Sequence, residues 1–258
     1  MPAKTALVTG ASSGIGQACA SRLARNGWRV LAGVRRAGTA PDGTEELVLD
    51  VTAPPELQLE RLDGLVNNAG IAVAGPLEFL PVEELRRQLE VNVIGQLRVV
   101  QAALPALRAG RGRIVNIGSI SGRSALPFLG AYAMSKFALE AMTDALRVEL
   151  RPWGIHVAIV EPGTIKTPMW TRERPDPPDA ALSLYGGRIA AFREFALKRS
   201  ANGAPPEVVA GVVAHVLTAE RPRARYLVGR DARIRAGVER LPDRVRDGIY
   251  KRVLLGGT

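Results

Sequence analysis

Two residues four positions apart, Tyr132 and Lys136 in the stretch YAMSK, are the most chemically suggestive pair in this sequence. On a helix that spacing puts both side chains on one face, one turn apart. A free phenol has a pKa of about 10, too high for a base at neutral pH. An adjacent ammonium is expected to stabilise the phenolate and bring that value toward working pH, as general acid–base catalysis requires. Tyr-x-x-x-Lys by itself is an ordinary exposed helix pair, so its weight comes from its surroundings. Ser119, thirteen residues earlier, ends an apolar run of strand type. At the C-terminal edge of a parallel sheet its hydroxyl would face a ligand crevice and could hydrogen-bond a substrate oxygen. Asn92 stands inside a long helical pattern, a poor place for asparagine unless its side chain has a task. It is expected either to bend the helix or to hold a water beside Lys136.

A second group of residues suits an anionic ligand. TGASSGIG, residues 9–16, follows a strand pattern and opens a helix. Glycine lets backbone approach a pyrophosphate closely, and a helix N-terminus offers free N–H groups and positive potential. The spacing is Gly-x-x-x-Gly-x-Gly, not the commoner Gly-x-Gly-x-x-Gly. After the next strand come Arg35 and Arg36, and no acid follows until Asp42. An acid there would bind a ribose 2′-hydroxyl, whereas arginine accommodates a 2′-phosphate, so NADP is favoured over NAD. A solvated basic turn is the alternative. Asn67-Asn68-Ala69-Gly70 ends a further strand at the same edge.

The elements that would position these residues alternate between strand and helix, which argues for βαβ units and a doubly wound, parallel α/β sheet. Strands are expected at 5–8, 28–34, 46–51, 64–67, 113–118, 155–160 and 226–228. Helices are expected at 14–26, 82–107 (with Pro105 a kink or the start of its end), 131–150 and 206–218. No repeat or domain boundary is visible, so residues 1–258 are read as one domain. The connections 35–49 and 52–63 are near the lower limit for a crossover, so their helices should be very short or absent. Residues 168–205 read as a long loop rich in Pro, Gly and Arg, with Met169, Trp170, Leu184, Tyr185, Phe192 and Phe195 as candidate substrate contacts. Residues 232–258 read as a basic helical extension.

Composition narrows the class. At 47% hydrophobic, 258 residues suffice for one sizeable core. No apolar run approaches the ~18 residues that span a bilayer. The first residues lack the pattern of a signal peptide. The single cysteine, Cys19, excludes an intrachain disulfide and is expected to be a small buried apolar residue, consistent with the cytoplasm. Net charge is +10, and +7 of it lies from Arg221 onward. Without aromatic interleaving this does not read as a nucleic-acid site. Val238, Leu241, Val245, Ile249 and Val253 recur at helical spacing there, which fits packing on the domain or on another subunit, or peripheral contact with an anionic membrane. No metal site is expected.

Together these residues resemble the compact form of the short-chain dehydrogenase/reductase superfamily. TGASSGIG at 9–16, Asp50-Val51, NNAG at 67–70, Asn92, Ser119, YAMSK at 132–136 and EPG at 161–163 stand in the matching order over nearly the whole chain. The resemblance implies a strand order of 3-2-1-4-5-6-7. It implies that Gly10, Ser12, Ser13, Gly14, Ile15 and Gly16 line the pyrophosphate and ribose. Asp50 and Val51 would flank the adenine, and Asn68, Ala69 and Gly70 the adenosine half. Pro162, Gly163, Ile165 and Thr167 would hold the nicotinamide carboxamide. Ser119, Tyr132 and Lys136 would be the catalytic triad, with Asn92 completing a proton relay through water and Lys136 also bonding the nicotinamide ribose. Residues 130–170 are most similar to the hydroxysteroid and retinol dehydrogenase branch, which implies a bulky apolar alcohol or ketone. A reductase of small ketones or 3-ketoacyl groups and a non-catalytic NADP(H) sensor are the alternatives. Members of this type imply a homodimer or homotetramer packed through the long helices.

Overall fold

A computed structural model describes residues 3–170 and 177–255. Seven strands form one parallel sheet: β1 Thr5–Thr9, β2 Arg29–Val34, β3 Glu45–Val48, β4 Gly64–Asn67, β5 Arg113–Ile117, β6 His156–Pro162 and β7 Arg225–Val228. Their order across the sheet is β3-β2-β1-β4-β5-β6-β7. The order reverses between β1 and β4, which opens a crevice at the carboxyl ends of the central strands. Successive strand residues point to opposite faces. Ala6 and Val8 therefore join one core layer and Leu7 the other, and likewise Val66 and Leu65.

Each layer has its own helices. Helices α1 (Gly14–Arg25) and α6 (Pro206–Thr218) cover the first face through Cys19, Ala20, Leu23, Val209, Ala210 and Val213. Helices α3 (Gly95–Gly110) and α4 (Gly130–Glu149) cover the second through Val99, Val100, Ala103, Leu107 and Leu146. Cys19 is buried and its thiol is pushed up to about 12 by burial alone, which fits an inert apolar residue.

Neither short connection holds a helix. Between β2 and β3 a carboxylate takes a helix's place: Glu46 accepts from the N–H groups of Gly38 (2.8 Å), Thr39 (3.2 Å) and Ala40 (3.3 Å). Between β3 and β4, Asp50 caps a turn by accepting from Thr52 N–H at 2.9 Å and its hydroxyl at 2.8 Å. Half-buried Leu57 and Leu59 then run along the second core layer in its place.

Three expectations are corrected. The pattern over 82–107 is continuous but not uniform: α2 (Val82–Leu89) passes through a π-helical turn, Glu90–Ile94, into α3. Pro105 lies inside α3. The long loop is mostly helix: α5 spans Asp179–Ala201. Its apolar residues follow no helical stripe because it is buried piecemeal, through Ala181, Ile189 and Phe192. Trp170 and residues 171–176 lie outside the described side chains. The C-terminal extension is two helices, α7 (Arg230–Val238) and α8 (Asp243–Leu255), since Pro242 has no N–H with which to continue the first. Val238 and Ile249 pack with Leu126, Leu129, Phe192 and Tyr250, so these two residues of the apolar stripe are spent inside the molecule. Leu241 and Val245 remain exposed, and Val253 lies outside the described side chains.

Candidate active site

The crevice at the carboxyl ends of the strands is a cavity of about 1000 Å³, at the upper end of what ligand sites occupy. Its floor at one end is the β1–α1 turn. Gly10 (φ +65°) and Gly14 (φ +57°) take left-handed backbone, where side chains are rarely tolerated. Ser13 makes no side-chain cap and α1 has no acid in its first turn, so the helix end keeps its N–H groups and positive potential for an anion. Gly10, Ser12, Ser13, Gly14 and Ile15 line the cavity. Gly16 does not. A Cβ on Gly16 would stand 2.2 Å from the Gly10 carbonyl oxygen, so this glycine lets α1 pack onto the turn instead.

Thr9 ties this turn to the neighbouring strand. Its hydroxyl accepts from the N–H groups of Asn68 (2.9 Å) and Ala69 (3.0 Å), and the Asn68 amide donates back to the Thr9 carbonyl at 2.9 Å. Asn68, Ala69 and Gly70 thereby form the next part of the wall. Asp50 and Val51 line it beyond β3. The Asp50 carboxyl is held below its ordinary value by the Thr52 N–H and hydroxyl it accepts. Arg35 lines the cavity at the end of β2, whereas the exposed Arg36 does not.

At the other end Ser119, Tyr132 and Lys136 come together, all buried. Ser119 follows β5 by two residues and caps the turn that comes next by accepting from Ser121 N–H at 3.1 Å. Its side chain also hydrogen-bonds Tyr132. Lys136 Nζ donates to the Ile117 carbonyl at 2.8 Å and stands 5.8 Å from the centre of the Tyr132 ring. Burial lowers the ammonium to about 8, against a smaller upward pull from Glu140. Burial also raises the Tyr132 phenol, and the Ser119 hydrogen bond and the charge of Arg235 only partly offset it. The net direction is upward, opposite to the lowering expected: desolvation outweighs the Ser119 hydrogen bond and the charge of Arg235.

Asn92 is fully buried in the π-helical turn, a feature that often marks functional sites. Its amide serves the cavity wall and the neighbouring helix. Oδ1 accepts from Ile71 N–H at 2.8 Å, and Nδ2 donates to the Ile71 carbonyl (3.0 Å) and the Ser135 hydroxyl (3.1 Å). Two residues not singled out in the sequence do the same work. Gln88 accepts from Val73 N–H at 2.6 Å and donates to the Ile71 carbonyl at 2.8 Å, and Gln96 donates to the Ala69 carbonyl at 3.0 Å. A signal is present in the sequence: Gln88, Asn92 and Gln96 recur every four residues, on one face of the helical stretch.

Pro162, Gly163, Ile165 and Thr167 complete the wall above β6. The outer compartment is apolar and aromatic, with Phe79, Phe128, Ile189 and Phe192 among its lining residues. Phe128 has left-handed backbone (φ +63°) and its ring meets those of Phe192 and Tyr185 at 5.5 and 6.3 Å. Tyr185 donates to Glu78 at 2.7 Å, joining α5 to the segment before α2.

Comparison with known proteins places this geometry. The short chain dehydrogenase family model matches residues 4–178. The chain is 41% identical to a 3-amino-tetrahydro-pyrrolizinone reductase of Xenorhabdus hominickii, over 90% of this chain and 89% of that protein. It is 36% identical to retinol dehydrogenase 5 of Mus musculus, over 98% and 90% of the two chains. Among solved structures, a short chain dehydrogenase from Burkholderia cenocepacia in complex with NADP superposes with a TM-score of 0.76 at 28% identity, covering 97% of each chain. The chain belongs to the short-chain dehydrogenase/reductase family and is an NAD(P)-dependent oxidoreductase.

Proposed function

We propose that this oxidoreductase uses NADP(H) to interconvert an alcohol and its ketone or aldehyde on a bulky, apolar substrate. The observation that carries the reading is the buried Ser119–Tyr132–Lys136 cluster, in one cavity with the uncapped N-terminus of α1. The glycine turn, the free helix N–H groups and Arg35 suit the phosphates of a dinucleotide. Pro162, Gly163, Ile165 and Thr167 would hold its nicotinamide end, and the aromatic outer compartment suits an apolar substrate. A bound nicotinamide supplies or accepts the hydride.

The chain's own residues then handle the proton. Tyr132 Oη gives it to the carbonyl oxygen in reduction and takes it from the hydroxyl in oxidation. A phenol carries its proton at neutral pH, as proton donation in reduction requires. The Ser119 hydroxyl shares the substrate oxygen and offsets charge growing there. Lys136, anchored on the Ile117 carbonyl, keeps a cation beside the phenol. Asn92 acts through position, fixing the cavity wall at Ile71 and the helix α4 at Ser135.

Tyr132→Phe should lower turnover at least a thousandfold while NADPH still quenches or enhances protein fluorescence as it does for the unaltered protein. Near-normal turnover in that variant, assayed against steroids, retinoids and small ketones, would refute the assignment. Arg35→Ala should weaken NADPH binding about tenfold and leave NADH unchanged, the loss of a charge-assisted phosphate contact. Equal weakening of both would remove Arg35 from the 2′-phosphate.

A further inference from the structure

The turn that follows β6 is held from outside the cavity by one carboxylate. Asp231, in the first turn of α7, accepts from Thr164 N–H at 2.8 Å and from the Thr164 hydroxyl at 2.9 Å. It also accepts from Arg199 Nη2 at 2.6 Å, and Arg199 Nε donates to the Thr164 hydroxyl at 3.1 Å. Contact is so close that a Cβ on Gly163 would stand 2.1 Å from Asp231. The carboxyl is held below its ordinary range by the Thr164 and Arg199 donors, which outweigh its half-burial. Arg199 belongs to α5, whose other residues wall the outer compartment. The same turn is strapped on its far side, where Ala204 N–H donates to the Thr164 carbonyl at 3.0 Å and Lys166 N–H to the Ala204 carbonyl at 2.9 Å.

We infer that Asp231 is a positioning residue for the nicotinamide end of the cofactor, clamping the Gly163–Thr167 wall and joining it through Arg199 to the substrate helix. This rests on the dinucleotide reading above. The hydrogen bonds of Asp231 go to Thr164 and Arg199 and none to the β1–α1 turn or Arg35, so its removal should act first at the nicotinamide end of the cavity. It is charged, buried by half and bonded three ways, so a local loss of shape should follow its removal without loss of the sheet.

The test compares a whole cofactor with its adenosine half. Isothermal titration of unaltered protein and Asp231→Ala with NADPH and with adenosine 2′,5′-bisphosphate separates the two ends of the site. The expected result is NADPH weakened about tenfold, or about 1.4 kcal/mol, with adenosine 2′,5′-bisphosphate bound as before. Arg199→Lys, which keeps the cation, should retain most of the NADPH affinity. If unaltered protein binds neither ligand, the dinucleotide reading fails and takes this inference with it. If unaltered protein binds both and Asp231→Ala keeps full NADPH affinity, the inference alone is overturned. Equal weakening of both ligands also overturns it, since that is general damage to the fold. Should Asp231→Ala not fold, Thr164→Val removes only the hydroxyl of the clamp, and the same selective loss is required of it.

Discussion

Behind Lys136, one turn along α4, Glu140 faces a second buried carboxylate, Glu161 at the end of β6. Arg225 from β7 bonds Glu140 at 3.1 Å and Asp144 at 2.6 Å, and Arg123, after β5, pairs with Glu161. Glu140 Oε1 is buried with no hydrogen bond to a donor among the described residues, and a proton shared with Glu161 would satisfy it. Burial and then Glu161 raise Glu140 from 4.5 to about 7, against the opposing pull of Arg225. Because the folded-state value is raised, folding retains this proton, and its stabilisation is complete in acid and lost as pH climbs through about 7. Glu140→Gln imitates the protonated form. Its melting temperature should therefore fall less than that of the unaltered protein as pH rises from 4.5 to about 7, the window that the shift defines. Parallel pH profiles by calorimetry would contradict the shared proton. Neither carboxylate was legible as a pair in the sequence, where they stand far apart on separate elements and each looks like an ordinary surface acid. Tyr132 and Lys136 were legible, because helical spacing is a local property. The direction of the Tyr132 shift was not, because burial depends on what the rest of the chain packs over the ring.

Among the elements, the β1–α1 junction bears the strictest local demands. Gly16 sits where α1 crosses the Gly10 carbonyl, with the Asn68 amide 2.4 Å from the place of a Cβ. Gly16→Val should cost about 1–3 kcal/mol through overpacking, read as a lower denaturation midpoint with an unchanged slope. A midpoint within error of the unaltered protein would mean that α1 can slide off the turn freely. The strands and the helices that flank them were legible because each is amphipathic at its own period, and the length of the two short connections left room for at most very short helices. The devices that replace those helices, the Glu46 carboxylate in a nest of N–H groups and the Asp50-capped turn, were not legible, since they depend on hydrogen bonds that composition does not encode. Helix α5 was read as a loop for the opposite reason. Its glycines Gly186 and Gly187 and its scattered contacts erase the periodicity by which a helix is recognised. The amide row Gln88–Asn92–Gln96 could have been read and marks how a cavity wall can be built from the buried side of a helix.

For the molecule as a whole, most of the excess positive charge lies from Arg221 onward, where Arg230, Arg233, Arg240 and Arg244 are exposed. A field of that sign raises the local concentration of anionic ligands at low salt, and no helix among the described residues is long and apolar enough to cross a membrane. Exposed apolar side chains lie instead along α4, at Met134, Phe137 and Val148. The sheet ends differently on its two sides, and the β3 side has a consequence of its own. β3 is a four-residue margin with little cover, since no helix precedes or follows it. Its row of amides and carbonyls would ordinarily invite a foreign strand to zip on. Glu45, gripped by Arg29 at 2.8 Å, and Glu46, drawn back into the Gly38–Ala40 turn, set two carboxylates along that border. An incoming chain would have to bury both or strip them from their donors. The border thus repels polymerisation while staying thin, and the protein can leave this flank of its crevice uncovered without becoming sticky there.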